Sequence, residues 1–436
     1  MFCFNSKLFK SRDLRNGNCW NKVYFSFVKI LTSAFKLGLL KHPKTSSFSR
    51  KFNHLCFQSC VIIFLILLSS KSIIPQSVEF DSLVSTGIKQ IYSINFNDAE
   101  FTFRTLMADY PEHPAGRFFL AMIDWWRILL DLDVEVYDDI FFQKLEDVIF
   151  HCDKILEKDP NNVDALFFKG GAIGFRGRLR AYRESWLKAA DDGREALPIV
   201  EQASALDPNN LDVQLGFGIY NYYADVIPDQ YPLIKPLMIF FPKGDRQKGI
   251  EQLTNTAFNG KYAKYEARYF LMTLYYTYEN NPYKAEEYAA MLTEDFPNNP
   301  IFEKWKGRIA IKRGDYFAGR NVFASVLLKA EQNLPGYNTI KTKREASYYV
   351  GLQHRNVGQL DSAKYYFNMC ADLSKEIDKK EESGFWVNSI LYLGMIHDQL
   401  DERDKAVEYY QKLLDMREYI NSHELAKKYL SEPFRN

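Results

Sequence analysis

One spacing recurs along this chain and limits what it can fold into. A small residue is followed twelve positions later by a second small residue. Four and then three positions on come two more that are apolar. Gly87, Ala99, Phe103 and Leu106 obey the rule, and so do Thr273, Ala285, Ala289 and Leu292. Gly307, Gly319, Phe323 and Val326 repeat it, as do Gly351, Ala363, Phe367 and Cys370, and Gly394, Ala406, Tyr410 and Leu413. Helical packing explains the pattern. Small residues let two antiparallel helices approach, and bulky ones a turn away fill the remaining space. Pro111 and Pro297 stand five positions after the last residue of two of these sets, where a residue without an amide donor stops a helix. The Pro-Asn-Asn triplets at 160, 208 and 297 suit a turn followed by a helix N-cap.

The quoted stretches KDPNNVDALFFKG (158–170), LDPNNLDVQLGFG (206–218), VGQLDSAKYYF (357–367) and DERDKAVEYYQKLL (401–414) resemble the tetratricopeptide repeat, a helix–turn–helix unit of about 34 residues. The resemblance covers about 80–430. It implies an all-α, right-handed solenoid of eight repeats: 80–113, 114–162, 163–210, 211–265, 266–299, 300–343, 344–386 and 387–420, with a polar capping helix at 421–430. Three repeats are longer than the rule. Ala121 to Val148, Gly170 to Ala196 and Gly218 to Gly249 span 27, 26 and 31 positions in place of twelve. We read these as insertions of about 14–19 residues between the two helices of a repeat. The long-insert arrangement is also similar to exported bacterial proteins of this repeat class with no assigned enzymatic role.

The resemblance implies protein binding on the concave side, where the first helix of each repeat faces inward. Read at those inward positions, repeats two to five offer Trp125, Trp126, Phe175, Tyr222, Tyr223 and Tyr278, an aromatic half. Repeats six to eight offer Lys304, Arg308, Lys312, Glu345, Arg355, Asn388 and Gln399, a polar half with a basic stretch. Such a groove suits an extended peptide or helix, anchored on the aromatics and set in register by Lys304, Arg308 and Lys312. Two other readings stay open. The Pro-rich apolar segment 227–243 (IPDQYPLIKPLMIFFPK) either plugs the channel or touches membrane, and the aromatic channel itself could carry a lipid or another hydrophobic ligand. Arg176, Arg178, Arg180 and Arg183 either clamp an anion or pair with Asp191, Asp192 and the acids of 131–139; the second use is favoured.

Charge divides the chain. Of its 56 Lys and Arg, 12 lie in residues 1–78 beside one acid, Asp13; the other 44 share the body with 54 acids. An acidic body argues against nucleic acid, because phosphate binding needs basic counter-charge. Residues 1–49 form a basic leader, read as an over-extended start in preference to a transit or membrane-surface segment. Residues 50–78 carry the unbroken apolar run Val61–Leu68 behind Arg50 and Lys51. That run is short for a spanning helix and fits an export signal, with a membrane anchor at 56–70 as the alternative. The solenoid then occupies 79–436, in an exported, periplasmic or secreted protein.

Catalysis finds no support. The sequence has no H-E-x-x-H, G-x-S-x-G or C-x-x-C, and His113, His151, His354, His397 and His423 lack metal-ligand spacing, so neither a metal nor a cofactor is expected. His354 and His397 fall one turn after Gly351 and Gly394, a packing position. Cys152 and Cys370 fall on apolar positions of second helices and are expected to be buried and inert.

Overall fold

The computed structural model describes residues 76–230, 235 and 241–435. The leader, the apolar run 61–68 and most of segment 227–243 lie outside the described residues. The described body contains no strand; its seventeen helices form eight pairs and a terminal cap. The pairs are α1 (Gln76–Tyr92) with α2 (Phe96–Asp109), α3 (Ala115–Leu130) with α4 (Asp138–Lys158), α5 (Val163–Tyr182) with α6 (Trp186–Leu206), and α7 (Gln214–Gln230) with α8 (Arg246–Asn259). They continue with α9 (Lys264–Thr277) and α10 (Pro282–Asp295), α11 (Pro300–Lys312) and α12 (Tyr316–Glu331), α13 (Ile340–Asn356) and α14 (Leu360–Ile377), and α15 (Gly384–Gln399) and α16 (Arg403–Leu414), closed by α17 (Ser422–Ser431). Each helix packs on its chain neighbours, and the odd-numbered helices line the inside.

The spacing rule is visible as contact. A Cβ added at Gly307 would sit 2.6 Å from the Phe323 ring, and one at Gly394 would sit 2.6 Å from Tyr410. Phe103, Phe323, Phe367 and Tyr410 are each wholly buried at these crossings. Six of the eight inter-helix turns share one device. The residue before the second helix's N-cap takes a left-handed backbone: Ile94, Glu184, Asn280, Gly314, Gly358 and Asp401. The Asn caps hold as well. Asn162 accepts from Ala165 N at 3.0 Å, and Asn299 accepts from Ile301 N at 2.9 Å.

The long repeats differ from the expectation of inserted segments. In the third, α5 and α6 have 20 and 21 residues, against 14 each in α9 and α10, and their turn is the ordinary one through Glu184. Fourteen extra residues shared between two antiparallel helices add about two turns to each, so every face keeps its direction. The second repeat likewise has long helices, joined by residues 131–137. In the fourth, residues 231–245 separate the two described helices.

Among the described residues, the first half of the channel is closed where the superhelix meets itself. α3 touches α11, eight helices further along. The Trp126 ring lies 5.6 Å from Phe302 and 4.6 Å from Tyr92, and Tyr92 lies 5.4 Å from Phe296. Asn299 Nδ2 donates to Tyr92 O at 2.8 Å, and Lys341 reaches back to Asp131 at 2.6 Å. Gly336 permits the close pass. Its φ of +80° favours glycine, and a Cβ would press Pro300 and Leu130. One core therefore runs from Val84 to Ile309, whereas the later repeats keep local cores.

Candidate functional site

The inner face splits into two unlike parts. In the first, the aromatic residues proposed as anchors are core. Trp125 and Trp126 are 1% and 2% exposed and Tyr222 is wholly buried, so none offers surface to a partner. Trp126 is covered where α3 meets Tyr269 of α9 and Phe302 of α11, whereas Trp125 packs on Phe141 and Phe175 and Tyr222 on Tyr223 and Tyr278; the reading of an open aromatic groove is corrected on that point. Phe175, Tyr223 and Tyr278 stay half-buried, with Tyr223 5.8 Å from Tyr278 and Phe175 5.4 Å from Trp125.

The arginine cluster lies on the lengthened end of α5, not in an inserted loop. Arg176 spends its guanidinium on Asp192, Glu146 and Glu195 at 2.7–2.9 Å. Arg180 reaches Asp192 at 2.6 Å. Arg183 clamps Asp138 with Nε and Nη2 at 2.6 and 2.9 Å, and its Nη1 takes Leu132 O at 2.5 Å. These three hold the long helices and the 131–137 connection together and make no anion clamp. Arg178 alone turns inward. Its Nη1 donates to Glu266 Oε1 at 2.6 Å, and Glu266 Oε2 accepts from Tyr92 OH at 3.1 Å. Burial works to lower the Arg178 pKa, but Tyr182 and Glu266 outweigh it and raise it.

The second part, α11, α13 and α15, gathers cations among aromatics. Arg308 forms a fork with Glu345, with Nη2 at 2.7 Å from Oε2. Burial works to raise the Glu345 carboxyl, but Arg308 and Lys304 outweigh it and hold the group below the usual carboxylate range. Among the described residues Lys304 Nζ donates only to Thr342 Oγ1, at 3.1 Å, and burial lowers its pKa. Lys312 is exposed; it donates to Tyr276 O at 2.5 Å and lies 4.4 Å from that ring. Arg355 lies 4.9 Å from the Tyr392 ring and 5.5 Å from Phe434, with Met395 Sδ at 3.9 Å from Nη2. Its Nε is buried without a partner among the described residues. Sequence reasoning found the four cations but missed Tyr276, Tyr392 and Phe434 beside them. The first two fall within inner helices, and no spacing marks Phe434, which folds back with its amide on Asp398 Oδ2 at 2.8 Å.

Other candidates resolve as packing. His354 stacks on Tyr366 and bonds Gln359, and His397 stacks on Tyr409 and bonds Glu402, the same arrangement one repeat apart. Cys152 and Cys370 are buried free thiols, pushed up to about 12 and about 11 by burial, which leaves little thiolate at neutral pH. Among the described residues no three His, Cys, Asp or Glu cluster as metal ligands, and no helix is long and apolar enough to cross a membrane. An outer cleft of about 640 Å³ lies between the α2–α3 corner and α4, lined by His113, Arg117, His151 and Asp164 among others.

What the paired helices and inner faces define is a class, a tetratricopeptide-like helical solenoid. No family model matches the chain, and no curated protein does. Among solved structures it is similar to PilW, a widely conserved type IV pilus biogenesis factor, with 17% identity over 58% of this chain and 96% of that one and a TM-score of 0.37. It is similar to the APC/C hetero-tetramer Cut9–Hcn1, with 15% identity over 82% and 70% and a TM-score of 0.38. It is also similar to the human IFIT1 dimer with m7Gppp-AAAA, with 10% identity over 80% and 84% and a TM-score of 0.37. Superpositions this loose add nothing to the reading of the site, which rests on the chain's own geometry.

Proposed function

We propose that this chain is an exported, non-enzymatic scaffold that binds a protein or peptide segment on the inner face of its last three repeats. One observation carries the reading. Lys312 and Arg355 lie on that face without an acidic partner among the described residues, although acids outnumber bases 54 to 44 across the body. Unpaired cations beside Tyr276, Trp305 and Tyr392 favour a segment with acidic and apolar side chains. Export rests on the run Val61–Leu68 and its basic flank.

The test is recovery of a partner from the native compartment with the full chain. A Lys312→Glu, Arg355→Glu double variant should lose that partner while keeping its thermal melt, and recovery should fall as salt rises. Equal recovery by the double variant would remove this face as the binding site.

A further inference from the structure

The inner face of α5 runs Phe167, Gly171, Gly174, Arg178, Tyr182, and it combines two features that packing does not explain. The first is Gly174. A glycine inside a helix is a destabilising choice unless a neighbour needs the room. Gly170 and Gly177 meet that condition, with Val200 and Asp192 at 2.7 and 3.0 Å from a Cβ placed on them. A Cβ at Gly171 would meet Phe118 at 3.3 Å. At Gly174 it would meet none of the described residues within 4 Å, and the residue is exposed among them. The helix is bare of described neighbours there.

The second feature lies one turn on. The Arg178 guanidinium sits 4.7 Å from the Trp125 ring and 4.5 Å from Phe270, with Phe175 at 5.9 Å. Its Nη1 is spent on Glu266, while Nε and Nη2 have no hydrogen-bond partner among the described residues. Those two atoms form the side-on edge that takes a carboxylate bidentately. Arg104, Arg183, Arg246 and Arg308 each close that same edge on a carboxylate of this chain. At Arg178 no carboxylate of the described residues closes that edge, and 18% of the side chain is exposed.

We propose that the lumen beside Gly174 and Arg178 binds a small amphiphilic carboxylate, one carboxylate on an apolar chain or ring. The carboxylate closes the Nε–Nη2 edge. The apolar body lies along the bare stretch of α5 against Phe175, with Tyr223 and Tyr182 beside it. Tyr223 lies 6.2 Å from Phe270, and Tyr182, 44% exposed, lies 6.0 Å from Trp125. The site is separate from the basic face of the last repeats and does not depend on it.

The test is fluorescence titration of the full chain with cis-parinaric acid, followed by displacement with oleate, 2-naphthoate and oleyl alcohol. One saturable site per chain is expected. Oleate, 2-naphthoate or both should displace the probe, which assigns a chain or a ring, and oleyl alcohol should be roughly tenfold or more weaker for lack of the charged hydrogen bonds. Arg178→Gln and Gly174→Leu should each weaken binding by a similar factor. Gly174→Leu meets none of the described residues and leaves the Arg178–Glu266 pair untouched, so it should keep the wild-type melt and remains informative if Arg178→Gln unfolds. Absence of saturable binding, equal displacement by oleate and oleyl alcohol, or full binding by Gly174→Leu would overturn the proposal.

Discussion

The first five repeats and the last three are built from the same helix pairs and use their inner faces differently. In the first region the odd-numbered helices meet across the superhelix and, with α11 of the sixth repeat, merge into one core from Val84 to Ile309. In the last region the cores stay local, and the inner face keeps Lys312 and Arg355 without acidic partners among the described residues. Composition at the inward positions accounts for the contrast. Aromatic rings at Tyr92, Trp126, Tyr269 and Phe302 gain by meeting one another once the helices approach. Cations at 304, 308, 312 and 355 cannot be buried together at comparable gain, because each ion loses hydration that only a partner restores. The inner surface of a repeat array is thus core or binding face according to whether the array closes on itself.

The contrast can be broken by mutation. The largest effect is expected at Trp126→Ala, which removes the ring joining Tyr92, Tyr269 and Phe302. It should cost about 3–5 kcal/mol in urea denaturation, whereas Lys312→Ala should cost under about 0.5 kcal/mol. A comparable loss at both would erase the distinction. Next comes Glu345→Gln, which leaves Arg308 buried without its counter-ion, at about 3 kcal/mol near neutral pH. The folded Glu345 carboxyl is held below its unfolded value, so its contribution is fully present above the unfolded carboxylate range and is lost as pH falls through the folded value. The gap between wild type and variant should therefore narrow below about pH 4; a gap constant with pH would contradict this. Lys304→Met should leave stability unchanged or raise it by about 1 kcal/mol, since the lysine is desolvated with a hydroxyl as its one hydrogen-bond partner. A loss of several kcal/mol would show Lys304 to be a structural partner of Glu345. The smallest effect is at Glu184→Gly, which should stabilise by about 0.5–1 kcal/mol in thermal denaturation by relieving a backbone at φ +57°.

Much of this was legible in the sequence. The twelve–four–three spacing reports which helix packs on the next in five pairs from Gly87 to Leu413, and the resemblance supplied the other three pairs and the cap. It says nothing of the pitch that brings α3 to α11. The contact that closes the superhelix, Asn299 to Tyr92, joins residues 207 positions apart and leaves no period. That is why Trp126 reads as part of a groove. The lengthened helices were misread as insertions because 26 positions between Gly170 and Ala196 look like a loop, whereas fourteen extra residues shared by two helices preserve phase. Arg178 was hidden among four arginines. The run Phe167, Gly171, Gly174, Arg178 at helical spacing was the signal that set it apart.

Closure of the superhelix is tested most directly by zero-length carbodiimide cross-linking of the native full chain, with cross-linked peptides identified by mass spectrometry. Lys341 lies 2.6 Å from Asp131 and Lys261 lies 2.6 Å from Asp81, pairs that join distant repeats. The closed arrangement predicts cross-links from Lys341 to Asp131 or Asp133 and from Lys261 to Asp81. Lysines that cross-link only within their own or adjacent repeats would show an open solenoid and contradict it.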